Sequence, residues 1–151
     1  MLHGTAVAIG GQAVLLIGPS GCGKSDLALR LIDGGARLIA DDRVELTRVE
    51  HQIRCQAPQS IPAALKGRIE VRGVGIMPVA AVEGAVPLGW YVELIRLGAS
   101  PDTVERLPAA EHKTLLGHDI PLLRLSAFEA STPAKLRLAV ASGAGLIMGR
   151  E

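Results

Sequence analysis

The hydrophobic positions fall into short apolar runs separated by glycine and proline, a pattern typical of a strand-rich protein. Residues 2–9 and 13–17 are predicted strands, and the Gly-Gly-Gln sequence at residues 10–12 predicts a tight hairpin turn between them. Residues 26–32 carry apolar side chains at helical spacing and are followed by two glycines, so they predict a helix. The chain is therefore expected to begin with a strand hairpin, a glycine-rich loop and a helix.

The later part of the chain predicts more strands and one further helix. Residues 131–143 predict that helix, because Ser131 or Thr132 can cap it, Pro133 lies in its first turn and Gly143 ends it. Residues 59–65 predict a single helical turn. The predicted strands are 36–42, 44–49, 52–56, 67–76, 79–82 and 88–97, and a turn is predicted at 87–90 between sheet segments.

Composition excludes several classes of function. A chain of 151 residues, 48% hydrophobic, is predicted to form one domain spanning residues 1–151. A net charge of +1 gives no basic face for nucleic acid or an anionic membrane. No apolar run approaches the length of about 20 residues that crosses a bilayer, and the start lacks a signal pattern. Cys22 and Cys55 lack zinc spacing and are predicted to be free thiols in a reducing cytoplasm; the alternative, a disulfide, would place one sulfur inside the glycine-rich loop.

Residues 18–25 fit the phosphate-binding loop pattern G-x-x-x-x-G-K-[ST] at every defined position. Glycines let successive N–H groups converge on phosphate oxygens, and the helix that follows adds its positive dipole end. Lys24 would then reach the β- and γ-phosphates, while the Ser25 hydroxyl would hold Mg²⁺. The predicted nucleotide-binding residues are Gly18, Pro19, Ser20, Gly21, Cys22, Gly23, Lys24 and Ser25.

Acidic residues follow two of the predicted strands. Asp41 and Asp42 end the strand after the loop, where an acid lies beside Mg²⁺, although an ordinary acidic turn is the alternative. Neighbouring strand residues point to opposite faces, so only one of the two is expected to point straight at the phosphates. Glu70 precedes paired glycines and marks either a polar site or a charged strand. His3 would lie close to the loop if the hairpin is in register, or else at a frayed terminus.

The order of these segments resembles the HPr kinase/phosphorylase family, bacterial enzymes that phosphorylate a serine of HPr, the phosphocarrier of the sugar phosphotransferase system. The matching segments are His3-Gly4, 18–25, 40–43 and 69–76, and residues 70–76 fit the selective signature E-[IV]-R-G-[LV]-G-I. The resemblance covers nearly the whole chain. It implies an α/β, P-loop-containing domain with a mixed, strand-rich, carboxykinase-like sheet and few helices. It also implies ATP and Mg²⁺ as cofactors, HPr as the protein substrate and a homo-hexamer.

The resemblance further implies roles for matching positions. Asp42, with Asp41 beside it, would be the general base on the target serine, and in the family the same acid protonates the leaving oxygen when inorganic phosphate removes the phosphoryl group. Arg106 would stabilise charge on the transferred phosphoryl group, and His3 corresponds to an active-site histidine. The implied catalytic residues are His3, Lys24, Asp41, Asp42 and Arg106, and the implied Mg²⁺ ligands are Ser25 and Glu70.

The chain departs from the family pattern in its terminal parts. The family's N-terminal regulatory domain is expected to be absent, because His3 stands at the start, and the last helix is expected to be shortened. Residues 133–138 read P-A-K-L-R-L where the family usually has P-x-K-x-G-R-N, so we expect weak or lost phosphorylase activity. By analogy this is a kinase-leaning member, from a setting where the phosphotransferase system is regulatory. A small-metabolite kinase or carboxykinase-like enzyme, and a nucleotide sensor without catalysis, stay open as alternatives.

Overall fold

The fold is a mixed β-sheet with helices on one face, as seen in a computed structural model that describes residues 1–96 and 104–147. In chain order the elements are β1 (Leu2–His3), β2 (Thr5–Ile9), β3 (Gln12–Ile17), α1 (Lys24–Asp33), β4 (Arg37–Ala40), β5 (Arg43–Val49), β6 (Gln52–Gln56), β7 (Arg68–Val71), β8 (Gly75–Pro78), β9 (Val86–Leu94), β10 (Glu111–Leu115), β11 (His118–Leu125) and α2 (Thr132–Ser142). Short 3₁₀ turns occupy Ala63–Leu65 and Ala144–Leu146. Neither helix in these ranges is long and apolar enough to cross a membrane.

The direction of the strands determines where the loops meet. The large sheet has the order β1-β5-β6-β9-β3-β2-β4, and the β10–β11 hairpin also pairs with β9. Strands β3, β9 and β11 are parallel, whereas β2 is antiparallel to both β3 and β4. The carboxyl ends of β3, β4, β9 and β11 therefore lie at one edge, the edge at which open α/β sheets bind ligands.

Alternation of side chains along the central strands produces two cores. On one face, Val14, Leu16 and Val92 pack with apolar residues of α1 and α2. On the other face, Leu15 and Tyr91 pack with residues of β5 and β6. Full burial of each large aliphatic side chain contributes about 1.5–3 kcal/mol, so the sheet that holds the loops is well supported on both faces.

Most of the predicted elements are confirmed: the N-terminal hairpin, α1, β4, the β5–β6 hairpin, the turn at Ala63–Leu65 and α2. The first predicted strand is divided at Gly4, because β1 pairs with β5 while β2 pairs with β3. A Cβ at Gly4 would lie 2.9 Å from the Leu16 carbonyl oxygen, so this close crossing requires glycine. The β10–β11 hairpin was not predicted from the sequence.

The predicted turn at residues 87–90 is wrong, because these residues lie inside β9. Pro87 pairs with Arg54 near the start of the strand, where a missing N–H is tolerated. A Cβ at Gly89 would lie 2.3 Å from Gln12 Oε1, so glycine is used here for close packing and not for a turn. Tertiary packing has overridden the local turn preference of both residues.

Two further strand predictions are only partly right. Residues 79–82 run beside β4, but among the described residues their pairing is the single bridge between Leu38 and Ala81. Residues 67–76 form two strands and the turn between them, since β7 and β8 pair as a hairpin. The last residue of the predicted strand 88–97 lies outside the described residues.

Both cysteines are buried free thiols, as the sequence predicts. Burial raises the pKa of the Cys55 thiol to about 12. Since the thiolate is the reactive form, Cys55 is chemically inert in the folded protein.

Candidate active site

The phosphate loop lies between β3 and α1, and its backbone conformation depends on glycine. Gly21 and Gly23 have φ values of 80° and 93°, in the left-handed region that other residues rarely adopt. A Cβ at Gly18 would lie 2.6 Å from the sulfur of Cys22, which is itself buried in the helix-side core. A side chain would therefore strain the backbone at Gly21 and Gly23 and would clash with Cys22 at Gly18.

The side chain of Lys24 folds back over the phosphate loop. Its ammonium group donates hydrogen bonds to the carbonyl oxygens of Gly18, at 2.7 Å, and Pro19, at 3.2 Å. The same nitrogen is 3.9 Å from Cys22 Sγ. The lysine charge thus lies at the mouth of the loop, beside the start of α1, where both the charge and the helix dipole favour an anion.

Asp41 joins the loop to the neighbouring strands through one carboxylate oxygen. Asp41 Oδ1 accepts hydrogen bonds from Ser25 Oγ at 2.8 Å, Thr5 Oγ1 at 2.9 Å and the Asp42 N–H at 3.1 Å. Thr5 is only 1% exposed, so its hydroxyl is held in place by the packing of β2. A loop serine next to an acid after a nearby strand is the pair that holds Mg²⁺ in phosphate-loop enzymes.

Asp42 and His3 lie next to this group. Asp42 is exposed and has a φ of 70°, a conformation that aspartate tolerates better than most residues. Its carbonyl oxygen accepts a hydrogen bond from Gly4 N at 3.0 Å, and exposed His3 pairs with Arg43 between β1 and β5. The chain therefore brings His3 to the turn that contains both acids, of which Asp41 bonds to the loop.

A cleft of about 350 Å³ opens beside the two acids, between β4, residues 57–62 and the β7–β8 hairpin. Glu70 lines this cleft because it alternates along β7 with Ile69, which is only 1% exposed and packs in the helix-side core. The charged residues that line the cleft are Asp41, Asp42, Glu70, Arg43, Lys66 and Arg68. A polar substrate group entering here would lie next to the acidic turn.

Within residues 1–96 and 104–147, neither Glu70 nor Arg106 forms a hydrogen bond or ion pair with the phosphate loop. Ser25 bonds to Asp41, and no hydrogen bond between Ser25 and Glu70 is seen in residues 1–96 and 104–147. Arg106 is exposed in the connection between β9 and β10, and in the same ranges its side chain forms no ion pair with the acids of the site. Part of that connection, residues 97–103, lies outside the described residues. The roles of Glu70 and Arg106 stay predictions.

The sequence did not lead us to expect Thr5 or the turn after β11 in the site. The sequence signal for Thr5 was a hydroxyl residue within an otherwise apolar strand. The turn at residues 126–131 is bound to α1, because Arg30 donates hydrogen bonds to the carbonyl oxygens of Ala127 and Glu129. These contacts place Phe128 against the loop, where a Cβ at Gly23 would lie 2.8 Å from its ring.

The fold and the loop define this chain as a strand-rich α/β protein with a phosphate-binding loop at the carboxyl edge of its sheet. A model of the family described as HPr Serine kinase C-terminal domain matches residues 1–142, so the chain belongs to this family and the family prediction is confirmed. The structure is similar to that of the Hpr(Ser) kinase/phosphatase from Coxiella burnetii, with a TM-score of 0.75 and 25% identity, covering 93% of this chain and 88% of that one. The predicted mixed, strand-rich, carboxykinase-like sheet is thereby confirmed.

Curated relatives match only part of the chain. The HPr kinase/phosphorylase of Limosilactobacillus reuteri (strain DSM 20016) is 49% identical over 84 residues, which are 55% of this chain and 25% of that protein. The HPr kinase/phosphorylase of Peptoclostridium acidaminophilum is 42% identical over 96 residues, 62% of this chain and 30% of that protein. The matched stretches thus span 25% to 30% of these relatives' length.

Replacing Thr5 by valine tests whether its hydroxyl positions Asp41. Thr5→Val keeps the shape but leaves the carboxylate without one charge-assisted donor, so the free energy of unfolding should fall by about 1.5–3 kcal/mol. In an Asp41→Ala background the same substitution should not lower the free energy of unfolding, because the Thr5 hydroxyl has already lost its carboxylate acceptor there. Urea denaturation of the four proteins measures both values. An equal loss in both backgrounds would show that the hydroxyl contributes nothing through Asp41.

Proposed function

We propose that the chain is an ATP- and Mg²⁺-dependent serine kinase that phosphorylates HPr and so regulates the phosphotransferase system. The observation that carries the proposal is the 2.8 Å hydrogen bond between Ser25 Oγ and Asp41 Oδ1, which joins the phosphate loop to the acidic turn. The match to the HPr kinase domain family over residues 1–142 supports the choice of substrate, as do the names of the relatives.

The loop residues would bind the triphosphate of ATP. The N–H groups of the loop and the first turn of α1 would donate to phosphate oxygens, and Lys24 would exchange its carbonyl partners for the β- and γ-phosphates. The loop fits this ligand because its glycine conformations leave the backbone unobstructed. These contacts hold the terminal phosphoryl group beside the acidic turn, and positioning of this kind supplies much of the rate in phosphoryl transfer.

Ser25, Asp41 and Glu70 have the oxygen donors that suit Mg²⁺. Within the described ranges, no group of three or more His, Cys, Asp or Glu side chains forms a ready metal site. That is compatible with Mg²⁺, which is usually held by one or two protein oxygens together with substrate phosphates. When bound, the ion would neutralise charge on the β- and γ-phosphates. Ser25 and Glu70 are the proposed ligands, and the hydrogen bond to Asp41 would orient the Ser25 hydroxyl.

Asp42 is the proposed general base. Its exposed carboxylate lines the cleft, whereas Asp41 Oδ1 already accepts three hydrogen bonds. The serine hydroxyl of the substrate would transfer its proton to Asp42 as its oxygen bonds to the γ-phosphorus and the bond to ADP breaks. Arg106 would stabilise charge on the phosphoryl group, and His3, next to the same turn, corresponds to an active-site histidine of the family. The family resemblance supports a homo-oligomer in the cytoplasm.

The geometry of α2 supports weak or lost phosphorylase activity. Lys135 pairs with Glu129 at 2.9 Å, and Arg137 donates a hydrogen bond to the carbonyl oxygen of Arg30 at 3.3 Å. The guanidinium of Arg137 also covers Gly34, where an added Cβ would clash with it. Both cations of the altered segment therefore stabilise α1 and the turn before α2, and within the described part of the chain neither forms a hydrogen bond or ion pair with the phosphate loop.

Transfer of the γ-phosphoryl group from labelled Mg²⁺–ATP to purified HPr tests the kinase proposal. The unsubstituted protein should label a serine of HPr. Asp42→Asn should reduce the rate by about 10²- to 10⁴-fold, the range for a lost general base, while ATP affinity changes less than threefold. Asp33→Asn, the same change at the exposed end of α1, is the matched control and should transfer normally.

If Asp42→Asn transfers the phosphoryl group at a near-normal rate, Asp42 is not the general base. If the unsubstituted protein binds ATP but labels no HPr, the nucleotide-sensor alternative replaces the kinase. Labelling of a small metabolite instead of HPr would favour the metabolite kinase.

Adding excess inorganic phosphate to serine-phosphorylated HPr tests the proposal that phosphorylase activity is weak or lost. Because Lys135 and Arg137 are engaged elsewhere, the label should persist on HPr over a time in which the kinase reaction is complete. Chromatography of the labelled pyrophosphate that is released measures the phosphorylase activity. Rapid release would contradict the inference drawn from α2.

A further inference from the structure

We propose that Phe128 forms one wall of a binding site for the base of the nucleotide, so that the ring stacks on a purine whose phosphates occupy residues 18–25. The inference rests on the proposed function in one respect, that the loop binds a nucleotide. It adds the position of the base and the residue that contacts it.

The Phe128 ring contacts the phosphate loop directly. A Cβ at Gly23 would lie 2.8 Å from Phe128 Cζ and 2.9 Å from the Ala127 methyl group, so the ring lies against the Gly23 backbone. Gly23 immediately precedes Lys24, at the point where the loop becomes α1. Phe128 is nevertheless 50% exposed as a residue, which leaves room for a ligand to contact it beside the loop.

Hydrogen bonds fix the turn that holds this ring. The Arg30 guanidinium, on α1, donates to the carbonyl oxygens of Ala127 and Glu129. The Thr132 hydroxyl donates to the Ser126 carbonyl oxygen, and Thr132 is fully buried. The backbone that carries the ring is therefore held relative to the loop before any ligand binds, which lowers the entropy cost of stacking.

Sheet order places Phe128 on the side of the loop away from the acids. The strands run β11-β9-β3-β2-β4, with Phe128 after β11, the phosphate loop after β3 and Asp41 after β4. All three segments lie at the same carboxyl edge. A nucleotide whose terminal phosphate faces Asp41 and Asp42 would extend its nucleoside toward the β11 side, where Phe128 lies.

The chemistry of the side chain suits a nucleobase. The sequence contains one Trp, one Tyr and one Phe, and Trp90 and Tyr91 are 2% and 8% exposed. Phe128 is thus the aromatic residue whose face reaches solvent, and it does so beside the phosphate loop. A base stacked on an aromatic ring gains about 1–3 kcal/mol, and every base has a face that can stack. The site should therefore accept adenine or guanine with little preference.

Comparing Mg²⁺–ATP with Mg²⁺–tripolyphosphate by titration calorimetry tests this site, because the second ligand has the phosphates without the base. Phe128→Ala should weaken ATP binding about 5- to 150-fold, the equivalent of a lost stack, and change tripolyphosphate binding less than twofold. Phe128→Leu, which keeps apolar bulk, should also weaken ATP binding without weakening tripolyphosphate binding. Phe128→Trp, which keeps an aromatic face, should bind ATP as the unsubstituted protein does. Leu138→Ala, at an exposed apolar residue on α2, should change neither ligand.

Equal loss for both ligands would overturn the proposal, since Phe128 would then support the loop and not the base. Unchanged ATP binding in Phe128→Ala, or failure of the unsubstituted protein to bind either ligand, would also overturn it. Phosphoryl transfer to HPr is measured separately. If Phe128→Ala selectively loses ATP binding but the unsubstituted protein never labels HPr, the kinase proposal fails and the base site stands. If the unsubstituted protein labels HPr but Phe128→Ala binds ATP with unchanged affinity, the base site fails and the kinase proposal stands.

Discussion

The hydrogen bonds accepted by Asp41 Oδ1 join the chain segments on which the site depends. Ser25 at the start of α1 and Thr5 on β2 both donate to this single oxygen, within 2.9 Å. The contact is possible because β3 and β4 run in the same direction and end at the same edge, on either side of β2. The strand order therefore determines the distance between the phosphate loop and the acid that follows β4.

At this edge of the sheet, the residues on the two sides of the phosphate loop differ in their chemistry. Toward β4 the turn with Asp41 and Asp42 opens into a cleft that both acidic and basic side chains line, and buried Ile69 anchors the hairpin that carries Glu70 there. Toward β11 the wall is the ring of Phe128, which Arg30 connects to α1 through the turn after β11. An acidic side suited to a metal and a substrate hydroxyl, and an aromatic side suited to a base, match the two ends of a nucleoside triphosphate.

Local features of the site could be predicted from the sequence. The loop at residues 18–25, its flanking strand and helix, and the acids after β4 each depend on neighbouring residues and leave a readable pattern. Thr5 and Phe128 could not be assigned, because their partners Asp41 and Gly23 lie far away along the chain and meet them only through strand pairing. Pro87 and Gly89 were misread as a turn for the same reason, since the packing of Gly89 against Gln12 leaves no mark in the local sequence.

The central claim is that the loop at residues 18–25 and the acidic turn act together on a nucleoside triphosphate. A crystal structure with Mg²⁺ and a non-hydrolysable ATP analogue tests it most directly. The account predicts the β- and γ-phosphates inside the loop, Lys24 turned from the Gly18 carbonyl to those phosphates, and the metal on Ser25 beside Asp41. Phosphates bound outside the loop, or a metal remote from Ser25, would contradict it.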